Sequence, residues 1–326
     1  MTPRAASPAA LVALALAVVA PATVLAQNYP TKQITIYSSA SPGTNGDAAL
    51  RMMANKMTDS MGQPVVVELR TAARGAQAYQ AVGKATPDGH TLTYGTSGTY
   101  VIGRFLFKNM AFDVFKDYAP VSLSASAPSY IAVHESLGIS SIRELVEYAK
   151  KNPGKVEFAT TGNGSYFHLA GEALKASAGI DMLHVPYAQA NFPQMLNDWS
   201  VGRVAMFFPT WASLKPSLSK MKVLAIIDRQ PSKYLPDVRP VNELLPSYTP
   251  FVVWWGFFGP PGTPTTIGNR ITAESKKAML APDVAPKLDE LGMQVIGTGP
   301  EDLARQLKQD IDAIGAIVKR IGLQPE

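Results

Sequence analysis

Two glycine-rich loops, each lying between a strand-like run and a helix-like run, are the segments of this sequence best suited to chemistry. The first follows residues 33–37 and occupies residues 42–47, and the second follows residues 156–160 and occupies residues 161–165. In each unit the unpaired N–H groups and the positive dipole end of the next helix lie at the end of a strand. A carboxylate or a phosphate is stabilised at such a place. The pair of loops therefore predicts a cleft that binds an anion.

Polar side chains in and near these loops are the candidate ligand contacts. The first loop also fits a plain helix N-cap, and we interpret Asp47, whose charge repels a carboxylate, as a residue that organises the loop. The second loop carries more hydroxyl and amide groups than a cap needs, and His168 would bond either a ligand or a backbone carbonyl. The candidate ligand-binding residues are Thr44, Asn45, Gly46, Arg74, Thr96, Ser97, Thr160, Thr161, Asn163, Ser165, His168, Tyr187 and Gln189.

Two of these candidates have a specific alternative. Arg74 is suited to a bidentate bond with a ligand carboxylate, and its alternative is a solvated surface arginine. The run from residue 94 to residue 98 ends a strand in small polar residues, which suits a cleft lining or an ordinary turn. Aromatic residues near the predicted strand ends are expected mainly in the core. One or two that face the cleft would favour an aromatic ligand.

Several kinds of catalytic or cofactor site are disfavoured. The chain has no cysteine, which excludes disulfides, thiolate catalysis and cysteine-bound zinc, and its four histidines lack metal-ligand spacing. Residues 162–164 open like a dinucleotide fingerprint, but Phe167 takes the place of the third glycine. Residues 217–220 match S-x-x-K without the partner motifs of β-lactamases. We expect no cofactor, no metal and no enzyme, with a secreted hydrolase using Ser97 or Ser165 as the alternative.

The first 26 residues predict export. They contain a basic residue near the start, an apolar run at 9–20 and a small-residue cleavage site at 24–26, and a retained membrane anchor is the alternative. The formal net charge of +5 includes no block of Lys or Arg, so nucleic acid is not an expected partner. We expect a soluble monomer that begins near Gln27 and works in the periplasm of a Gram-negative cell.

Strand-like and helix-like runs alternate along the rest of the chain, a pattern that predicts an α/β fold with largely parallel sheets. Ser140, Ser141 and Glu144 predict a capping box at the start of one helix. The predicted strands are 34–37, 65–68, 91–94, 131–133, 156–160, 204–208 and 223–227. The predicted helices are 47–60, 77–85, 141–151, 165–178, 266–280, 282–291 and 301–321.

The chain resembles the Bug family, the periplasmic solute receptors of tripartite tricarboxylate transporters, over nearly all of its length after the signal. The resemblance implies a two-domain, type II-like periplasmic binding protein with a ligand cleft between its domains. Domain one would comprise residues 27–126 and 250–326, and domain two residues 127–249. The matching stretches, in the order of the family, are Tyr29-Pro30-Thr31-Lys32, Pro42-Gly43 with Asp47 and Arg51, Gly62-Gln63-Pro64-Val65-Val66-Val67, Pro87-Asp88-Gly89-His90-Thr91-Leu92, Phe112-Asp113 with Lys116-Asp117-Tyr118-Ala119-Pro120-Val121, Thr161-Gly162-Asn163-Gly164-Ser165 with His168-Leu169 and Glu172, His184-Val185-Pro186-Tyr187, and Pro236-Asp237-Val238.

The function implied by this resemblance is capture of a small carboxylate and its delivery to the membrane components of a tripartite transporter. A receptor that presents its ligand to a membrane sensor kinase would need the same cleft and is the alternative. The chain departs from the family pattern at Thr44, at residues 70–75, at Ala188 and Gln189, and at residues 202–205. These departures keep the scaffold of the family and leave the ligand open among aliphatic di- or tricarboxylates, amino acids and aromatic carboxylates.

Overall fold

The computed structural model of the protein describes residues 29–38, 44–70, 76–108, 112–188 and 191–325. The predicted signal segment lies outside these ranges. The strands are β1 (Ile34–Ser38), β2 (Val65–Leu69), β3 (Thr91–Thr96), β4 (Ala119–Ala127), β5 (Ser129–His134), β6 (Glu157–Thr160), β7 (Leu183–Pro186), β8 (Met206–Phe207), β9 (Met221–Ile227), β10 (Val253–Gly259) and β11 (Gln294–Thr298).

Helices cover both sheets. None of the helices in the described ranges is long and apolar enough to cross a membrane. The α-helices are α1 (Asn45–Met61), α2 (Ala76–Gly83), α3 (Gly103–Leu106), α4 (Ile142–Lys151), α5 (Tyr166–Ala178), α6 (Phe192–Ser200), α7 (Trp211–Leu214), α8 (Val241–Leu244), α9 (Thr265–Met279), α10 (Ala285–Glu290) and α11 (Pro300–Ile321).

The first sheet has six strands in the order β11-β4-β10-β3-β1-β2. β1 pairs in parallel with β2 and β3, whereas β10 runs antiparallel to both β3 and β4. The carboxyl ends of β1, β3 and β4 therefore lie at one edge of the sheet, together with the start of β10. Ligands of open α/β sheets bind outside this kind of edge.

The second sheet has five strands in the order β7-β6-β8-β5-β9. β6 is parallel to β7 and β8, and β5 is antiparallel to β8 and β9. The chain leaves the first sheet after Ala127, builds the second sheet between Ser129 and Ile227, and returns to the first sheet at Val253. The predicted α/β class is confirmed, and the exact domain limits stay a prediction.

Apolar periodicity and capping explain the helices that the sequence predicts. In α4 the buried residues Ile142, Leu145 and Ala149 recur at helical spacing, and Ser141 Oγ accepts the Glu144 N–H at 3.2 Å. The Glu144 carboxylate accepts the Ser140 N–H at 2.8 Å. The expected capping box therefore forms, with its returning bond shifted to the residue before the N-cap.

One hydrophobic cluster joins the two sheets. It includes Phe158 of the second sheet, Trp254 and Phe258 of the first, and Ile314 of α11. Within it the Trp254 indole donates to the buried Asp310 carboxylate at 2.6 Å, and burial raises the pKa of that carboxyl to about 6. The segment that returns from the second sheet is thus fixed to α11.

The structure contains elements that the sequence patterns did not predict, namely β4, β7, β10, β11, α3, α6, α7 and α8. The strand predicted over 204–208 is only Met206–Phe207, which pairs with β6 at Met206 and with β5 at both residues. The aromatic segment before residue 259, interpreted only as buried, is the central strand β10. Its side chains are buried because β3 and β4 flank it and helices cover the sheet.

Candidate functional site

A cavity of about 720 Å³ opens between the two sheets, a volume within the range of small-molecule sites. The first-sheet side contributes mostly hydroxyl groups, backbone and two aromatic rings: Ser38, Thr44, Asn45, Gly46, Tyr94, Gly95, Thr96, Thr99, Ala127, Val253 and Trp255. The second-sheet side contributes Thr161, Phe167, Phe192, Leu196, Thr210, Ala212 and Ser213.

Strand ends position the polar part of the first-sheet side. Ser38 is the last residue of β1, and Thr96 is the last residue of β3. Ala127 ends β4, and Val253 begins the antiparallel β10. Because these four residues meet at one sheet edge, the floor of the cavity is fixed by backbone hydrogen bonds of the sheet.

The N-terminus of α1 borders this floor of the cavity. Thr44 is the N-cap residue, and its carbonyl accepts the Ala48 N–H at 2.9 Å. Asn45 Nδ2 donates to the Leu291 carbonyl at 3.0 Å, which ties the start of the helix to the segment after α10. The first-turn N–H groups and the dipole of a helix make its N-terminus favourable to an anion.

Gly46 explains how the backbone of α1 comes so close to the cavity. A Cβ atom at this position would overlap the indole ring of Trp255, which lines the same cavity. The next residue, Asp47, is buried and accepts a bond from Arg51 Nε at 2.9 Å. Its negative charge is thus compensated within the helix, and its role in organising the loop stays a prediction.

Tyr94 is the most unusual polar residue of the cavity. Its side chain is 1% exposed, and its hydroxyl has no hydrogen-bond partner among the described residues. The ring packs against Phe257 with a centroid distance of 4.7 Å, and burial raises the pKa of the phenol well above its ordinary value. An unpaired buried hydroxyl is costly, which makes Tyr94 a candidate donor to a ligand.

The loop between β6 and α5 contributes Thr161 to the second-sheet side. Thr160 Oγ1 accepts the Gly162 N–H at 3.2 Å and shares a 2.6 Å bond with His184 Nε2. Gly164 has a φ of 71°, and a Cβ atom there would overlap Leu106 of α3. The loop is therefore shaped by its own bonds and touches the first-sheet side of the molecule.

Two stacked histidines lie behind this loop. His168 Nδ1 accepts the Gly164 N–H at 3.0 Å, so the proton of its neutral ring is on Nε2. The His168 and His184 rings stack with centroids 4.2 Å apart. Burial lowers the pKa of both rings, and burial together with His168 brings the pKa of His184 to about 4. Both side chains are therefore neutral at neutral pH and serve to position the loop.

The other part of the second-sheet side is apolar. Phe167 of α5 and Phe192 and Leu196 of α6 are half-buried side chains that line the cavity. Phe167 packs on the fully buried Phe207 with a centroid distance of 4.8 Å, and the Phe192 ring lies 6.4 Å from it. We call Phe167, Phe192 and Leu196 the apolar wall.

The described lining residues are electrically neutral. None of those that the structure places around the cavity is Asp, Glu, Lys, Arg or His. Across the described ranges there is also no group of three or more His, Cys, Asp or Glu residues placed to hold a metal ion. An anion in this cavity would thus be held by hydroxyl groups, backbone N–H groups and the end of α1.

Comparison with known proteins identifies the kind of protein that carries this cavity. A family model described as the tripartite tricarboxylate transporter family receptor, TctC, matches residues 49–323. The chain belongs to this family. The sequence prediction of a Bug-type receptor is thereby confirmed.

Individual relatives agree with this assignment. The UPF0065 protein in the tcbD-tcbE intergenic region of Pseudomonas sp. strain P51 is 35% identical over 87% of this chain and 84% of its own length. Rpa4515 of R. palustris, solved with adipate, has a TM-score of 0.71 at 27% identity, covering 91% of this chain and 100% of its own. MatC from Rhodopseudomonas palustris, solved with malate, has a TM-score of 0.67 at 27% identity, covering 89% and 100%. The predicted binding-protein architecture is confirmed for this receptor.

The receptor brings some of the predicted site residues together at the cavity. Thr44, Asn45, Gly46, Thr96 and Thr161 line it. Arg74 and Gln189 lie outside the described residues. That any of them contacts a ligand stays a prediction.

The remaining predicted residues are not among those that line the cavity, and most of them have other partners. Ser97 Oγ donates to the Val252 carbonyl at 3.2 Å, and Ser165 Oγ accepts the His168 N–H at 3.2 Å as the N-cap of α5. Neither geometry favours the hydrolase alternative. The residues placed in this way are Ser97, Thr160, Asn163, Ser165, His168 and Tyr187, whose hydroxyl donates to Asp198 at 3.1 Å.

Sequence reasoning missed several lining residues. Tyr94 stood in a strand-end run that was recognised, but its ring was not identified as a ligand contact. Trp255 and Phe167 belong to the aromatic residues that were expected mainly in the core, with one or two facing the cleft, and the α6 residues Phe192 and Leu196 were not assigned to the site at all. An apolar i, i+4 pair on a short helix gives no signal that distinguishes a cavity wall from a core face.

Proposed function

We propose that this receptor captures a small carboxylate between its two sheets and delivers it unchanged to the membrane components of a tripartite transporter. It would do so in the periplasm of a Gram-negative cell, as a monomer released from the signal segment at residues 1–26. Two relatives of the same fold hold adipate and malate, which are carboxylates, and this supports the ligand class. Membership of a receptor family supports binding and delivery over catalysis.

The observation that carries the proposal is the neutral, donor-rich edge of the first sheet. Ser38, Thr96 and Thr99 line the cavity beside the N-terminus of α1, and Tyr94, whose buried hydroxyl has no partner among the described residues, belongs to the same lining. These groups match the acceptor oxygens of a carboxylate. Fixed neutral dipoles hold an anion without the desolvation of a buried cation.

Closure of two domains is the second part of the proposal, with limits at residues 27–126 plus 250–326 and 127–249. Contacts across the cleft support it: Lys233 pairs with Asp289, and the Tyr234 hydroxyl donates to the Asp289 carbonyl at 3.3 Å. On the same side the Gly292 backbone packs so closely on Trp211 that a Cβ atom would lie 3.0 Å from that side chain. Release of ligand requires these contacts to separate.

Calorimetry on the chain without residues 1–26 tests the proposal. A panel of carboxylates is titrated beside the primary amide of each, with and without a chelator. We expect binding of at least one acid, at least tenfold weaker binding of its amide, and no effect of chelation. Equal affinity of acid and amide would contradict the anion site, and turnover of the ligand would contradict a receptor.

Small-angle scattering tests closure on the same samples. We expect a smaller radius of gyration when the tightest-binding acid is added, because bound ligand draws donors of both sheets together. The same radius with and without ligand would point to a rigid, preformed pocket.

A further inference from the structure

We propose that the ligand is an aromatic monocarboxylate, with its carboxylate at the edge of the first sheet and its ring on the apolar wall. The inference rests on the proposed function and adds the chemical class of the ligand. It depends on how the two sides of the cavity differ.

The apolar wall is built on a fixed helix face. Phe192 and Leu196 are four residues apart in α6 and therefore lie on the same side of that helix. Met195 and Trp199 continue the same apolar face of α6 and are fully buried, and Trp199 packs on Phe207 with a centroid distance of 5.5 Å. The wall is thus presented to the cavity by a helix that has little freedom to turn it away.

The rings of the wall have the orientation that a flat apolar ligand needs. The Phe167 and Phe192 rings are nearly parallel, with an interplanar angle of 12° and centroids 6.5 Å apart. Both rest on the buried Phe207 ring, and both are only half-buried themselves. Their uncovered surface faces the cavity, so a second aromatic ring would remove apolar area from water on both partners.

Among the described residues, the same side offers a second carboxylate only a few hydroxyl groups. Its described polar groups are the hydroxyls of Thr161, Thr210 and Ser213, and none of its described residues carries a positive charge. An ionised group pressed on the wall would lose water without gaining a partner of opposite charge. Hydroxyls can instead bond a single polar substituent on a ring. A dicarboxylate therefore fits the first-sheet edge with one end only.

Apolar residues on the first-sheet side complete the arrangement. Trp255 and Val253 add apolar surface next to the polar strand ends. A ligand with a carboxylate at one end and a ring at the other would place the carboxylate on the donors of the strand ends and the ring on the apolar groups. Its ring would lie between the Trp255 side and the wall.

Calorimetry with three defined acids tests the class. We expect 3-phenylpropanoate to bind at least tenfold more tightly than adipate and at least tenfold more tightly than citrate. Tighter binding of adipate or citrate would overturn this inference and leave the proposed carboxylate receptor standing. Binding of none of the three, nor of any other carboxylate in the panel, would overturn the proposed function and the inference with it.

Two variants locate the ring. Phe192→Ala should weaken 3-phenylpropanoate at least fivefold and leave propanoate, which has no ring, within twofold of its original affinity. Phe115→Ala is the matched control, because this phenyl group is 52% exposed and does not line the cavity. An equal effect of Phe192→Ala on both acids would overturn the placement of the ring.

Leu196→Arg tests the missing charge without removing a large side chain. The guanidinium would supply the partner that a second carboxylate lacks, so adipate should gain at least tenfold in affinity relative to 3-phenylpropanoate. An unchanged ratio of the two affinities would overturn the argument that the wall selects against a second charge. Circular dichroism of each variant verifies that it is folded.

Discussion

Replacing Tyr94 by phenylalanine should raise the stability of the free protein while lowering its affinity for ligand. The hydroxyl is buried and has no partner among the described residues, and a buried unsatisfied polar group costs about 1–3 kcal/mol. Removing it while keeping the ring, which packs on Phe257, should increase the free energy of unfolding by about 1 kcal/mol. Urea unfolding of the ligand-free protein measures this change.

The effect on binding has the opposite sign. A hydrogen bond to a charged group contributes about 1.5–3 kcal/mol, so loss of the Tyr94 donor should weaken the tightest-binding carboxylate by about 10- to 150-fold. Tyr118→Phe is the control, since that hydroxyl is also buried but donates to the Tyr79 carbonyl at 2.6 Å. It should lower stability by about 1 kcal/mol and leave affinity unchanged. A less stable Tyr94→Phe protein with unchanged affinity would refute the reasoning.

Three further predictions follow from the contacts around the cavity. Gly46→Ala should lower the free energy of unfolding in urea by about 1–3 kcal/mol and weaken ligand binding, because the added Cβ would overlap the Trp255 ring. An unchanged urea midpoint together with an unchanged affinity would contradict this close approach. The pKa of His184 is lowered to about 4 in the folded protein, against about 6.5 in the unfolded chain. Because the unfolded chain binds a proton at this histidine first, the free energy of unfolding should decrease as the pH falls from about 6.5 towards 4. Comparing wild type with His184→Gln by urea unfolding at several pH values isolates this effect from Asp310, whose raised pKa acts in the opposite direction; a difference that is independent of pH would disprove it. Asp289→Ala should weaken ligand binding about two- to fivefold at low salt and less at high salt, because its ion pair with Lys233 is half exposed; calorimetry showing a loss above tenfold would not fit a surface pair.

Much of the fold follows from local patterns in the sequence, whereas the elements that were not predicted depend on contacts with distant parts of the chain. α4 was predicted because its apolar residues recur at helical spacing and its cap is encoded by adjacent residues. β4 consists largely of small residues, of the kind expected in loops as often as in strands, and is a strand because β10 and β11 pair with it. β10 read as a continuous aromatic run, which periodicity alone does not distinguish from other buried segments.

The candidate site likewise contains residues that local patterns placed at the cleft and residues that they did not. Thr44, Thr96 and Thr161 were placed at the cleft because each follows a strand, and the carboxyl ends of parallel strands meet at one edge. Thr160 and His168 were grouped with them by sequence distance, yet their side chains bond within the loop and not towards the cavity. Only the folded chain distinguishes a residue that builds a loop from one that lines a cleft.

The apolar wall was beyond sequence reasoning for a different reason. Phe192 and Leu196 lie in a helix that was not predicted, and they reach the cavity because that helix packs across the second sheet. The identity of the ligand depends on such distant packing more than on the glycine-rich loops. The glycine-rich loops predict that the ligand carries an anionic group, whereas the apolar wall supports our proposal that the rest of the ligand is an aromatic ring.

A crystal structure of the protein with the carboxylate that binds tightest is the most direct test of the central claim. We predict that the carboxylate lies at the edge of the first sheet, with its oxygens within about 3 Å of backbone N–H groups at the start of α1 and of hydroxyl donors at the ends of β1 and β3. The body of the ligand should lie on the second-sheet side, in contact with Phe192. A carboxylate bound against the apolar wall, or a ligand bound outside the cavity between the sheets, would contradict the account.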